Sequence, residues 1–277
     1  MEVKGEKPVL KIRARLRKGD EVRFISHLDL TRTMERAVRR AGLPVAFSQG
    51  FHPHPRISFG PALATGITSD AEYLDFELSG PLSVEDFISC LNSQLPPGLE
   101  ILEARAIPLQ AESLTRIIDA ALYWLYLRKE DLLSPERLKQ AEQQGPFLDL
   151  WFEEANGGFR LGVLVSTKGE GAIKAGEILP LLRRTGALKE DAVPLKIHRV
   201  GQFVMKDGKA LSPLEYEDEL LSPPKGGDGR TFRSPRRPES ASPREACKGA
   251  INHVERDHSQ RYCRRNSSCS HGRRSPC

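Results

Sequence analysis

The sequence predicts an α+β protein of two tandem ferredoxin-like βαββαβ units, residues 1–110 and 111–212, followed by a disordered tail, 213–277. Three observations predict it. Alternating and helix-period segments follow in the order strand, helix, strand, strand, helix, strand, and that order recurs after residue 111. From about Pro223 the composition shifts to Pro, Ser, Arg and Gly with almost no core formers.

In the first unit, Val9–Leu16 alternates as a strand. Ser26, three residues before Asp29, makes a capping-box arrangement that opens a helix. Leu30, Met34, Ala37, Val38 and Ala41 recur at helical spacing, Arg39 and Arg40 suit the helix's negative end, and Gly42 stops it. Pro44–Ser48 and Tyr73–Leu78 read as strands, Val84–Leu95 as a helix and Leu99–Ile107 as the closing strand.

The second unit repeats the order. Ala120–Leu127 is β-rich, and Ser134-Pro135-Glu136 carries the cap and first-turn proline of a helix. Phe147–Glu154 and Phe159–Ser166 flank a turn on Asn156-Gly157-Gly158. Ala175–Arg184 is the next helix, interrupted by Pro180, and Leu195–Val204 the last strand. Right-handed crossovers would place both helices of a unit on one sheet face and leave the other face available.

The formal charge of +5 divides unevenly. Residues 223–277 hold 13 Lys+Arg against 5 Asp+Glu, while 1–222 hold 29 against 32. Within that acidic body, residues 11–56 carry 11 cations against Asp20, Glu21, Asp29 and Glu35, a local basic patch that points to an anionic partner. No apolar run approaches the roughly 20 residues of a membrane span and no secretory leader opens the chain, so the expectation is a cytoplasmic protein without a membrane partner. Cys90 is alone in the body and is expected to pack as a small apolar residue.

The connection between the second and third strands, residues 48–71, is long enough to be functional. Its glycines and prolines suggest a shaped surface loop presenting His52, His54 and Arg56, with Ser48, Gly50, Phe51, Ser58 and Phe59 framing them. His27 follows the helix cap beside Arg23, Asp29 and Arg32, where an imidazole could act as general acid or base and the arginines could hold a phosphate. Arg32, Arg36 and Arg40 recur every four residues and could track a phosphate backbone. The expectation is that these cations converge with the loop in one anion cradle. No metal is assigned, because His52 and His54 would point to opposite sides of an extended loop. Dinucleotide, P-loop, zinc-protease and iron–sulfur cysteine motifs are absent from the sequence, as is the paired-aromatic hallmark of RNA-recognition motifs.

RFISHLDLTRTMERAVRRAGLPVAFSQGFHPHPRISFGPALATGITSDAEYLDFEL, residues 23–78, resembles the signature stretch of the bacterial radical-SAM-linked protein family, a domain of unknown function. The resemblance extends more loosely over 1–212 and is most specific in HLD, SxGFxPxPxxSFGPAL and EYxD. It implies an accessory module beside a radical SAM protein, which would supply the iron–sulfur cluster and S-adenosylmethionine; no cofactor is expected in this chain. The family implies no established reaction, and no catalytic residue is carried over. The resulting expectation is a module that positions a substrate, RNA such as tRNA or rRNA, or docks the partner enzyme. Two alternatives stand beside it. Metal-independent CRISPR-processing endoribonucleases are similar in having tandem ferredoxin-like domains and a first-helix histidine, which would make His27 a general base. The other is a protein–protein scaffold.

Cys247, His253, His258, Cys263, Cys269, His271 and Cys277 in the tail match no familiar zinc spacing. His253–Cys277 can be back-translated so that a shifted frame resembles the start of ribonuclease E/G proteins. The expectation is that the gene overlaps a neighbouring RNase E/G gene and that the tail's charge is a by-product of that overlap.

Overall fold

A computed structural model describes residues 7–131, 135–155, 158–207 and 209–221. The elements, in chain order, are β1 (Leu10–Lys18), α1 (His27–Arg40), β2 (Ile57–Phe59), β3 (Thr68–Leu78), α2 (Val84–Asn92), β4 (Leu99–Ile107), α3 (Leu114–Ile117) and β5 (Ala120–Leu127). They continue with α4 (Pro135–Gln144), β6 (Phe147–Ala155), β7 (Gly158–Ser166), α5 (Ile178–Arg184), β8 (Lys196–Lys206), β9 (Lys209–Leu211) and α6 (Pro213–Leu221). The fold is mixed α/β. Nine strands form one sheet in the order β4-β1-β3-β8-β5-β7-β6, with β2 on β3 and β9 on β8.

Side-chain alternation sorts the sheet's two faces. Ile12, Ala14 and Leu16 of β1 and Leu74, Phe76 and Leu78 of β3 pack against Leu30, Met34 and Val38 of α1 and Phe87 and Leu91 of α2. In the second half Ala121, Tyr123, Leu125 and Leu127 pack against Leu138 and Ala141 of α4 and Ile178, Leu181 and Leu182 of α5. Leu63 and Ile67, from the connection ahead of β3, enter that second core and lock the halves together. Each such buried aliphatic side chain stabilises the fold by about 1.5–3 kcal/mol relative to exposure.

The opposite face is covered, contrary to the expectation drawn from right-handed crossovers. Ala71 and Tyr73 of β3 lie under Leu114 and Ile117 of α3 and Leu214 of α6. Farther along, Trp124 and Trp151 cover the sheet themselves. The helix α6 also corrects the boundary of the tail: residues 213–221 are helical, capped by reciprocal bonds between Ser212 and Glu215. The rest of the proposed tail, with its cysteines and histidines, lies outside the described residues, as do Ser134 and the Asn156-Gly157 pair of the expected turn.

The second strand is displaced from its expected place. Pro44–Ser48 makes only isolated bridges, Val45 to Leu78 and Phe47 to Pro55. The strand forms at Ile57–Phe59 instead, because Ile57 and Phe59 can pair with Phe76 and Leu74 while packing on the core beneath. The connection also shortens at its far end, since β3 starts at Thr68. Pro180 does not break its helix: a 3-10 turn at Ala175–Glu177 precedes α5, which places the proline in the first turn, where no N–H partner is required. Cys90 is exposed, because the buried side of α2 is defined by Phe87 and Leu91.

Candidate functional site

The start of α1 is fixed by its cap. Asp29 N–H donates to Ser26 Oγ at 3.1 Å, and Ser26 N–H and Oγ–H both reach Asp29 Oδ2, at 3.4 and 2.7 Å. The Ser26 hydroxyl, then its backbone N–H, and then the Arg32 charge hold the Asp29 carboxyl below the usual carboxylate range. Asp29 is thereby committed to the helix terminus. His27, the first residue of α1, is exposed, with its ring meeting Phe59 edge-on at 5.2 Å.

The loop after α1 is closed by its own backbone. Ser48 N–H donates to His54 O at 2.9 Å, and His54 N–H returns to Ser48 Oγ at 3.0 Å. Gly50 turns the tip with a φ of 125°, a conformation closed to most side chains. Phe51 and His52 stand exposed there, with Phe51 at 101% relative accessibility. Two contacts hold the loop against α1: His54 Nδ1 lies 3.5 Å from Glu35, and the Arg39 guanidinium lies 5.7 Å from the Phe47 ring. Arg56 pairs with Glu77 at 2.9 Å, and Ser58 is exposed on β2.

The structure thus brings the helix and the loop together, but through a different stripe. His27, Thr31, Glu35 and Arg39 form the flank nearest the loop. Arg32 and Arg36 sit one residue, about 100°, farther round the helix and are exposed. Arg40 continues to the far side, where Nη2 donates to Gln94 O at 2.6 Å. Arg23 lies 4.6 Å over the ring of Phe24 and pairs with Asp20 at 3.6 Å. Phe24 and Leu28, 69% and 56% exposed, add apolar surface at this end of α1.

The local basic patch is smaller than the residue count suggests. Lys11, Arg13, Arg15 and Lys18, four of its eleven cations, are buried on β1. They serve internal pairs: Arg13 bonds Asp75 at 2.7 and 3.0 Å and Glu217 at 2.7 Å, and Lys18 Nζ donates to Ile25 O at 3.0 Å. Of the other seven, Arg32, Arg36, Arg39, Arg40 and Arg56 are exposed, with Arg39 set over the Phe47 ring.

The profile of a family described as an uncharacterized protein conserved in bacteria, DUF2344, matches residues 11–150. The chain belongs to this family. The DUF2344 match runs from β1 into β6 and therefore contains α1, its loop and the whole first half of the sheet. A comparison with curated proteins found no match.

In this DUF2344 chain, among the described residues, no group of three or more His, Cys, Asp or Glu is arranged to hold a metal ion. No described helix is long and apolar enough to cross a membrane. Residue spacing missed the buried ion pairs and a polar cavity beside Tyr73 and Gln202. A signal existed: Lys11, Arg13 and Arg15 alternate with Ile12, Ala14 and Leu16, and Glu72 and Asp75 fall in an equally apolar strand. Charges embedded in such strands are more economically explained by each other than by a ligand.

Proposed function

We propose that this chain is a non-catalytic accessory module that presents the outer face of α1 and the 48–59 loop to a single-stranded segment of RNA. The observation that carries the reading is the exposure of the rings of Phe24 and Phe51, one ahead of α1 and one at the tip of the loop after it, together with that of Arg32 and Arg36 on α1. Single-stranded nucleic acid is held by rings on which bases stack and by cations that follow the backbone, a combination that tolerates many sequences. The internal pairing of His54 with Glu35 and of Arg39 with Phe47 gives the surface a fixed shape before any ligand arrives.

The partner in this reading is a radical SAM protein, which holds the iron–sulfur cluster and S-adenosylmethionine while this chain positions the substrate. The 23–78 resemblance supports that division. We further infer that each half of the sheet is a ferredoxin-like unit: the strand orders β4-β1-β3-β2 and β8-β5-β7-β6 support it, as do the helices sharing one face of each half.

Electrophoretic mobility of tRNA and rRNA fragments, measured over a range of salt, tests the RNA reading. Arg32→Glu with Arg36→Glu should weaken binding and flatten its salt dependence by about two phosphate contacts. Phe24→Ala with Phe51→Ala should weaken it without changing the salt slope. Binding indifferent to both pairs, or no binding, removes the proposal.

A further inference from the structure

Phe24, Phe47, Phe51 and Phe59 border α1 and the loop that follows it, and all but one have a partner within the chain. The Arg23 guanidinium lies 4.6 Å from the centre of the Phe24 ring and that of Arg39 5.7 Å from the centre of the Phe47 ring, while His27 meets Phe59 edge-on at 5.2 Å. Phe51 is different. Among the described residues no ring or cation lies against it, and at 101% relative accessibility both its faces are open.

The backbone that carries this ring is nonetheless held in place. Ser48 and His54 close the tip with bonds of 2.9 and 3.0 Å, Phe47 bridges to Pro55, and Pro55 is buried. Gly50 turns with a φ of 125°, and a Cβ there would meet nothing within 4 Å, so the glycine serves its dihedral and not a close approach. Pro53 and Pro55 fix the chain on the other side of the ring. A phenylalanine left in water contributes none of its burial energy to the fold. Held on a fixed backbone, it has little freedom to lose when something covers it.

The geometry points to Phe51 as a wedge that enters between two neighbouring bases of an unpaired RNA segment, an assignment that rests on the RNA reading above. A ring with both faces open takes a base on each. Phe24, with Arg23 over one face, takes a single base. The exposed cations Arg32 and Arg36 stand on the helix against which His54 and Arg39 hold the loop, and they suit the phosphates of the same strand. An apolar pocket on a protein would cover the ring equally well but has no use for those cations. The wedge narrows the class of substrate. Neighbouring bases part most cheaply where they are already unpaired, so a loop, a bulge or a strand end is taken in preference to a helix.

Fluorescence of aminopurine placed within oligoadenylate tests the wedge on the full chain, because this base emits more strongly when its neighbours part. The expected result is a rise in emission as the chain saturates the strand. Phe51→Ala and Phe51→Leu should abolish the rise, the second keeping apolar bulk without a planar ring, and Phe51→Tyr should retain it. Phe51→Ala should weaken binding roughly a hundredfold, the loss of two stacked bases, and Phe24→Ala roughly tenfold, the loss of one. Gly50→Ala turns the tip without crowding a neighbour and should reduce the rise. Thermal melting without RNA shows that each variant folds. Oligoadenylate that binds with no rise, or with the same rise in Phe51→Ala, overturns the wedge and leaves the RNA reading standing; a strand that does not bind at all overturns both.

Discussion

Arg199 grips Glu72 across the junction of β3 and β8, with Nε and Nη2 donating to Oε1 at 2.9 and 2.7 Å and Nη2 also reaching Oε2 at 2.6 Å. Backbone pairing there is limited to Thr68 with His198 and Ser69 with Arg199. The same guanidinium donates to Pro61 O at 3.1 Å and to Tyr123 Oη at 3.4 Å. One side chain therefore ties together β3, β5, β8 and the connection that follows β2. Short parallel pairing alone is a weak seam, and this fork supplies what the ladder lacks.

Removing one member of this pair leaves the other charged and buried. Glu72→Ala and Arg199→Met are each expected to destabilise the chain by about 3–5 kcal/mol, whereas a change of both to apolar residues should cost less than the sum. Urea denaturation of the two single variants and the double variant measures this. Single-variant losses below about 1 kcal/mol would show that the seam is held by Leu63 and Ile67 instead.

Gly162 occupies the place where two tryptophans meet. It pairs with Trp124 on one side and Trp151 on the other, whose rings cross edge to face at 5.4 Å. A Cβ at this position would collide with the Trp151 indole at Cε2. Gly162→Ala should therefore displace an indole and cost about 1–3 kcal/mol, despite alanine's better fit to ordinary strands. A shift in tryptophan emission together with a lower urea midpoint is the expected outcome; unchanged emission and midpoint would mean that the sheet yields freely there.

The start of α1 and the strand alternation are legible because they depend on neighbours in sequence. Ser26 and Asp29 form the cap their spacing announces, and Leu99–Ile107 and Ala120–Leu127 are strands over those residues. What was not legible depends on distant pairing. Whether 44–48 or 57–59 becomes a strand is decided by β3, since Ile57 and Phe59 bring apolar side chains to Phe76 and Leu74. The basic patch was overcounted for the same reason: Arg13 finds Asp75 at a separation of 62 residues and Glu217 at 204. Of the candidate site, spacing announces the stripe of Arg32, Arg36 and Arg40; that the neighbouring Glu35 and Arg39 are the residues that meet the loop is not legible, because the rotation of a helix against its neighbour follows from packing.

Two buried phenols make stability depend on alkaline pH. Burial raises Tyr73 and Tyr123 above the ordinary tyrosine value of about 10. A phenol raised in the folded state contributes its full stabilisation below the unfolded value and loses it as pH rises through about 10. Lys18 has the opposite sign: burial lowers its ammonium, partly offset by Glu72, so its cost to the fold is relieved as pH approaches the ordinary lysine value. With two phenols against one ammonium, the urea midpoint should fall above roughly pH 10, and Tyr73→Phe should reduce the fall. Phenolate absorbance of the native chain should show two of its five tyrosines titrating only as it unfolds. If all titrate together near the ordinary value, neither ring is sealed from water.

Glu217 holds α6 to the sheet through Arg13. Its Oε1 accepts from Arg13 Nη1 at 2.7 Å, and both groups are buried; Arg13 is also held by Asp75 and by Glu112 O at 2.8 Å. Since the guanidinium keeps those partners when Glu217 is lost, Glu217→Ala should cost about 1–3 kcal/mol, less than the rupture of the Arg199 pair. Glu217→Gln retains an acceptor and should cost less than Glu217→Ala. Because α6 also roofs Tyr73, hydrogen exchange should speed up in α6 and around Tyr73 while the α1 cap at Ser26 is unaffected. Equal exchange in all three places would show that α6 is held by Leu214 alone and that the buried pair contributes nothing to its attachment.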